Sequence, residues 1–186
     1  MDDVYVIDRP NRAKASSHTT RAIVVLLLLV SAGLQLIVIL GGWSSLQGSK
    51  AVQLVFALLY ILMAYLVSRW NRGVLPVAAA MAILLLIFAA VSGPEWLDRD
   101  KTGFSTPESI LGSAGLESSV LALLTFIVIP VQVLLIGFAA QAFQQEWHVE
   151  LEVPKSRALW SGAAPRKLVE RPGARRGTTS TGATRG

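Results

Sequence analysis

Residues 22–42 read AIVVLLLLVSAGLQLIVILGG, a stretch without a single Asp, Glu, Lys or Arg. At about 1.5 Å of rise per residue, one helix of this run crosses a hydrocarbon layer roughly 30 Å thick. Residues 51–68, 73–94 and 118–145 are equally free of charge, and each contains an apolar run long enough to do the same. A fully buried helix of a soluble protein explains one such run. Four in a chain of 186 residues point to a membrane-spanning protein. Composition agrees. Hydrophobic residues make up 53% and charged residues 16%, against roughly 25% charged in soluble domains. Mean hydropathy is +0.54.

Working outward, the spans are expected at residues 22–40, 51–70, 74–91 and 116–143. The fold class is an all-α membrane protein, a four-helix transmembrane bundle with short or disordered cytoplasmic termini. Residues 1–21 form an N-terminal tail, residues 22–143 the transmembrane domain with an outer loop at 93–117, and residues 144–186 a largely disordered basic tail. Asn71-Arg72-Gly73 is a tight turn that makes the second and third helices antiparallel neighbours. Ser92-Gly93-Pro94 reads as a helix stop. Thr106-Pro107-Glu108 reads as a helix start, with proline in the first turn, and predicts a short surface helix over residues 107–111. Residues 4–7 and 147–153 alternate like strands. They are expected on the same membrane face and are proposed to pair as a small ribbon.

All charged residues lie outside the four runs, and their distribution sets the orientation. Fourteen of the seventeen basic residues fall in the N-terminal tail, the second connection and the C-terminal tail, which share one side. Excess Lys and Arg mark the cytoplasm, so both termini are expected there. The first run is longer than the 7–15-residue core of a usual signal peptide, and no clear A-x-A site follows it, so an uncleaved helix is expected. Trp43, Trp70, Trp96 and Trp147 each sit just past a run, where interfacial rings belong. Arg outnumbers Lys and alanine is abundant. That bias suggests a GC-rich bacterial genome, and with it a bacterial inner membrane.

Several chemistries are excluded by what the chain lacks. No cysteine is present, which removes disulfides, thiol catalysis, lipid anchors on sulfur and thiolate metal sites. Tetraspanin- and claudin-like proteins share the span count but rely on loop cysteines. His18 and His148 lie outside the runs, so haem ligation within a bundle has no ligands. No Asp, Glu or His lies within a run to relay protons. The segment from Asp98 to Gly103, DRDKTG, partly resembles a calcium loop, but the twelfth position is Ser109 rather than a bidentate Glu. The same letters resemble the nucleophile motif of haloacid-dehalogenase-type phosphatases, which needs an α/β domain that does not fit here. The ordinary reading is an exposed turn. No catalytic, cofactor-binding or metal-ligating residues are assigned, and no cofactor is expected.

Ser31, Gln35, Gln53, Thr125, Gln132 and Gln141 are polar residues within the runs. Such side chains usually join helices through hydrogen bonds. The sharper reading is a small polar pocket formed by Gln35 and Gln132. Ala78, Ala79, Ala80 and Ala82 allow close helix approach. Function is expected to be non-enzymatic: an accessory or scaffold subunit acting through helix faces and the cytoplasmic tail. The alternative is an oligomeric transporter or channel component for a small neutral or lipidic substrate. Expected partners are membrane lipids and a membrane protein or further copies of the chain, with no specific nucleic acid. Cysteines introduced singly at Ser44, Ser105 and Ser180 are expected to react with an impermeant maleimide from outside, outside and inside respectively. Any other labelling pattern rejects this topology.

Overall fold

The structure, a computed structural model, describes residues 5–99, 101 and 104–154. Its elements in chain order are β1 (Tyr5–Asp8), α1 (Pro10–Ala13), α2 (Ala15–Gly41), a 3-10 turn (Trp43–Ser49), α3 (Lys50–Ser68), α4 (Val74–Arg99), α5 (Ser118–Gln144) and β2 (Leu151–Pro154). The four long helices are each long and apolar enough to cross a membrane. The fold is an all-α four-helix bundle of a multi-pass membrane protein. The tail beyond residue 154 and half of the acidic turn, residues 100, 102 and 103, lie outside the described residues.

Two compact units are present. In the smaller, β1 pairs antiparallel with β2, with Val6 opposite Val153 and Asp8 opposite Leu151. The expected ribbon therefore forms, but its second strand begins at Leu151 rather than at Trp147. Pro154, which has no N–H to give to a ladder, ends it opposite Tyr5. Val4 lies outside the described residues.

The larger unit, Arg9–Val149, is the bundle. α4 and α5 pack most extensively, α2 packs on both α3 and α5, and α3 touches α4 only sparsely. The α4–α5 seam explains that order. Leu75, Ala78, Ala82, Ala89, Gly93 and Trp96 line one buried stripe of α4, and the small residues among them let the two backbones approach. A Cβ on Gly93 would meet the Phe126 ring of α5 at 2.8 Å. α3 and α4 leave their shared turn as neighbours, as the sequence implies, and then separate.

Three expectations about local structure need correction. Ser92-Gly93-Pro94 does not end α4, which continues to Arg99, so the loop between α4 and α5 begins near residue 100 rather than 93. Pro94 forfeits one backbone bond near the helix end, but the continued helix buries Trp96 against Gly42 and Leu121. Gly93 serves the α5 contact, not a stop. No helix forms at residues 107–111. Glu108 bridges Ala114 instead, and Ser109 N–H donates to Ser113 O at 2.9 Å. The rings of Trp96 and Trp147 are packed inside the protein rather than exposed at its surface. The chain reverses after α5 at Glu146, with φ +49°. That turn carries Trp147 inward, where its Nε1 donates to Gln145 Oε1 at 3.0 Å.

The loop over residues 104–117 is tied down by backbone. Leu116 N–H donates to Gly41 O at 2.9 Å and Ile110 N–H to Leu40 O at 3.3 Å, so carbonyls at the end of α2 gain partners that the helix cannot supply. Ser44 answers from the 3-10 turn: its N–H donates to Glu108 O, and its Oγ accepts from Glu108 N–H at 2.8 Å. Gly115 sits where a Cβ would strike the backbone oxygens of Gly41 and Pro107. Gly115→Ala is expected to destabilise the folded protein by roughly 1–3 kcal/mol, the usual cost of overpacking. Gly33→Ala, with open space at its Cβ, is expected to gain about 1 kcal/mol from helix propensity. Thermal unfolding of both variants in detergent checks the contrast.

Candidate functional site

Two places bring polar groups together within the bundle. The first is a buried junction of three helices. Tyr60 of α3 donates its hydroxyl to Gln132 Oε1 at 2.8 Å, and Gln132 Nε2 of α5 donates to Ser31 Oγ of α2 at 2.9 Å. Ser31 Oγ in turn donates to Leu27 O at 2.7 Å. Gln132 is 0% exposed. Every polar atom of its amide side chain thus finds a partner in surroundings that offer no water. Gln132 faces the interior, two places beyond Pro130, and α5 runs unbroken through that proline. Thr125 does not serve a carbonyl freed by the proline. Its Oγ1 donates to Leu121 O at 2.8 Å.

Gln35 is placed differently from Gln132. Its Nε2 donates to Ser31 O at 3.2 Å, so both amides converge on Ser31, one on its hydroxyl and one on its carbonyl. Gln35 also borders a cleft of about 630 Å³, and Gln132 does not. Gln53, at the mouth of the same cleft, donates to Ser49 Oγ at 3.4 Å. Gln141 is exposed.

The cleft is the second place. It opens where α3 and α4 diverge and is backed by Gln35 and Val38 of α2 and by Thr125 and Val128 of α5. Val52 and Phe56 of α3 face Leu85 and Phe88 of α4 across it. The rings of Phe56 and Phe88 meet edge to face at 5.7 Å between centroids. Towards the end of α4 the lining turns polar: Ser92, Glu95 and Arg99, with Ser45 and Ser49 opposite. The α4 residues Leu85, Phe88, Ser92, Glu95 and Arg99 recur at three- and four-residue intervals, which places them on one helix face. The face grades from apolar to charged within one stripe. Its volume lies within the roughly 300–1,000 Å³ of small-molecule sites.

The opposite end of the bundle is a knot of rings and guanidinium groups. Trp70, two residues past the end of α3, lies in the left-handed region at φ +64°, a strained conformation for a bulky residue. Its ring meets Trp147 at 5.2 Å and His18 at 5.0 Å, both edge on, and the Arg21 guanidinium lies 4.1 Å over it. Arg21 also donates to Ser68 O, Arg72 Nε to Phe143 O at 2.9 Å, and Arg12 Nε to Trp147 O at 3.1 Å. These cations cap carbonyls at or just beyond helix C-termini, where the helix dipole favours them. Arg72 Nη1 donates to His148 Nδ1 at 2.9 Å. Both histidines are thus engaged at this end. Among the described residues, no three His, Asp or Glu side chains converge on a metal-sized site.

The sequence reading selected Gln35 and Gln132 but passed over Tyr60, Glu95 and Arg99. Tyr60 carried no signal beyond being a tyrosine within an apolar run. The α4 stripe was hidden because the helix was expected to end at residue 91. The chain matches no family model, no curated protein and no solved structure. Fold and site together define a multi-pass four-helix membrane protein with a graded cleft between two of its helices.

The junction is expected to behave as a coupled unit. Tyr60→Phe and Gln132→Leu, with the double variant, should give a coupling free energy of about 0.6 kcal/mol and no more than about 1.7, the range for interhelical hydrogen bonds in membranes. Unfolding in mixed micelles measures it.

Proposed function

We propose that this chain is a non-enzymatic accessory protein of a bacterial inner membrane that holds one membrane lipid in the cleft between α3 and α4. The observation that carries the reading is the cleft itself, an aromatic and aliphatic slot whose lining becomes polar towards one end of α4. A lipid has the same gradient along its length. α4 is 26 residues long. Its first twenty or so span a hydrocarbon layer of roughly 30 Å, which leaves the Glu95–Arg99 end at headgroup depth. Tails would then lie against Phe56, Leu85 and Phe88 at acyl depth.

The basic asymmetry supports cytoplasmic termini, with the knot around Trp70 on the cytoplasmic side and the cleft mouth on the other. Helix faces and the basic tail are the surfaces for a membrane-protein partner or for further copies of the chain. No specific nucleic acid is proposed. The lack of Asp, Glu, His, Lys and Arg within the four charge-free runs speaks for a non-enzymatic role. A transporter component for a lipidic substrate would use the same cleft. A pore through a single chain is less favoured, because Tyr60 and Gln132 fill the centre where three helices meet.

Native mass spectrometry of the full chain in mild detergent tests the reading. The wild type is expected to retain one added phospholipid of defined chain length. Leu85→Trp at acyl depth, or Ser92→Trp nearer the mouth, should lower that retention roughly tenfold, about 1.4 kcal/mol of binding free energy, while helix content by circular dichroism stays unchanged. Retention indifferent to both folded variants overturns the cleft as the lipid site.

A further inference from the structure

Passing outward along α4 from the apolar depth, the side chains that line the cleft come in the order Leu85, Phe88, Ser92, Glu95 and Arg99. The carboxylate therefore stands nearer the acyl region than the guanidinium does. The two are spaced i, i+4, an arrangement in which such groups on a helix ordinarily pair. Among the described residues neither forms an ion pair. The Arg99 guanidinium lies over the Phe104 ring at 5.2 Å, and its Nε is buried without a hydrogen-bond partner among the described residues. A buried, charged donor without an acceptor is costly. Among the described residues Arg99 is also the one cation that lines the cleft. Lys50 lies over the Trp43 ring at 4.7 Å, and Lys101 is held by Asp98 at 2.6 Å. At the depth between the apolar stripe and Arg99, the lining offers the hydroxyl of Ser92 and the carboxylate of Glu95, and no positive charge.

We infer that the cleft prefers a lipid whose headgroup is an uncharged polyol joined directly to the glycerol, a hexosyl diacylglycerol, over any phospholipid. This inference rests on the cleft being the lipid site. In a phospholipid the phosphate is the first group beyond the glycerol, so it comes to lie beside Glu95, anion against anion. A terminal ammonium, as in phosphatidylethanolamine, then lies beside Arg99, cation against cation. A sugar escapes both conflicts, because each hydroxyl can donate and accept. One hydroxyl donates to the Glu95 carboxylate and another accepts from Arg99. The two side chains together carry no net charge, which an uncharged headgroup matches. They are separated by about 6 Å of helix, comparable to the span across one sugar ring. The hydroxyls of Ser45, Ser49 and Ser92 border the same mouth and serve the remaining sugar oxygens. The rings of Phe56 and Phe88 touch, so no acyl chain threads between them. Val52 of α3 and Ile87, Phe88 and Val91 of α4 line the cleft while each is half or more exposed. The acyl chains leave over this outer flank, on the bilayer side of the two rings.

The test is competition for the full-length chain in detergent. Monohexosyl diacylglycerol, phosphatidylethanolamine, phosphatidylglycerol and diacylglycerol with identical acyl chains are supplied in equal amounts, and native mass spectrometry reads the bound ratio. A phospholipid supplied alone still binds through its chains. In the mixture the wild type should prefer the hexosyl lipid over each phospholipid roughly fivefold, the scale of one contact between unit charges in water. It should prefer the hexosyl lipid over diacylglycerol by a similar factor, the scale of one hydrogen bond to a charged group. Glu95→Gln should bring the phospholipids level with the hexosyl lipid, because the amide no longer repels phosphate and can donate to it. Arg99→Gln should lower hexosyl lipid retention severalfold and leave diacylglycerol unchanged. Both substitutions lie near the helix end, and circular dichroism confirms that each variant is folded. A wild type that binds the four lipids equally, yet loses them in Leu85→Trp, overturns the headgroup inference and leaves the cleft reading standing. A wild-type preference for either phospholipid does the same. So does a hexosyl preference that survives Glu95→Gln, or hexosyl retention indifferent to Arg99→Gln. Retention unaffected by Leu85→Trp and Ser92→Trp overturns both readings.

Discussion

The close approach of α4 to α5 is the contact on which the rest of the arrangement depends. In a lipid environment apolar surface does not drive helices together, because the surrounding chains are as apolar as the helices. Association has to come from closeness of fit and from hydrogen bonds. α4 has one stripe fit for close contact, the small residues Ala78, Ala82, Ala89 and Gly93, and it is committed to α5. α3 is committed elsewhere. Its Tyr60 is tied to Gln132, and through it to Ser31 of α2. Two helices joined by a five-residue connection are thus drawn to different partners, and the space between them is the cleft.

The end of the bundle around Trp70 absorbs the strain of that turn. A tryptophan in the left-handed region costs on the order of 1–3 kcal/mol. Edge contacts to Trp147 and His18 and the stacked Arg21 oppose this cost. The same arginines cap carbonyls left over at helix ends. Basic residues flanking the charge-free runs therefore also complete the backbone hydrogen bonding of the helices. At the far end the work is done by backbone instead: the loop over residues 104–117 lays its N–H groups on the last carbonyls of α2. That loop needs Gly115 because the two backbones meet there without room for a side chain.

The four helices were legible in the sequence because length and charge exclusion are one-dimensional properties. A run without charge long enough to cross a bilayer has few other uses. The small ribbon was legible for a similar reason, since alternation of period two is local to each strand. The end of α4 was not. Gly93 and Pro94 are helix breakers by local preference, and only the burial of Trp96 against Gly42 and Leu121, together with the contact between Gly93 and Phe126, carries the helix past them. The helix expected after Pro107 failed for the converse reason. Its capping signals were sound, but the loop's N–H groups found better partners on α2.

For the site, the sequence by itself determined which side chains had to find partners. A glutamine at membrane depth is bound to seek one, whatever the fold. Which partner it found was a matter of tertiary structure: Gln132 took Tyr60 and Ser31, and Gln35 took the carbonyl of Ser31 and the edge of the cleft. The graded stripe from Leu85 to Arg99 exists only because α4 continues beyond Pro94 and stands away from α3. Neither fact is encoded locally. Both follow from the competition among helix faces for close contact, which is decided only when all four helices are packed together.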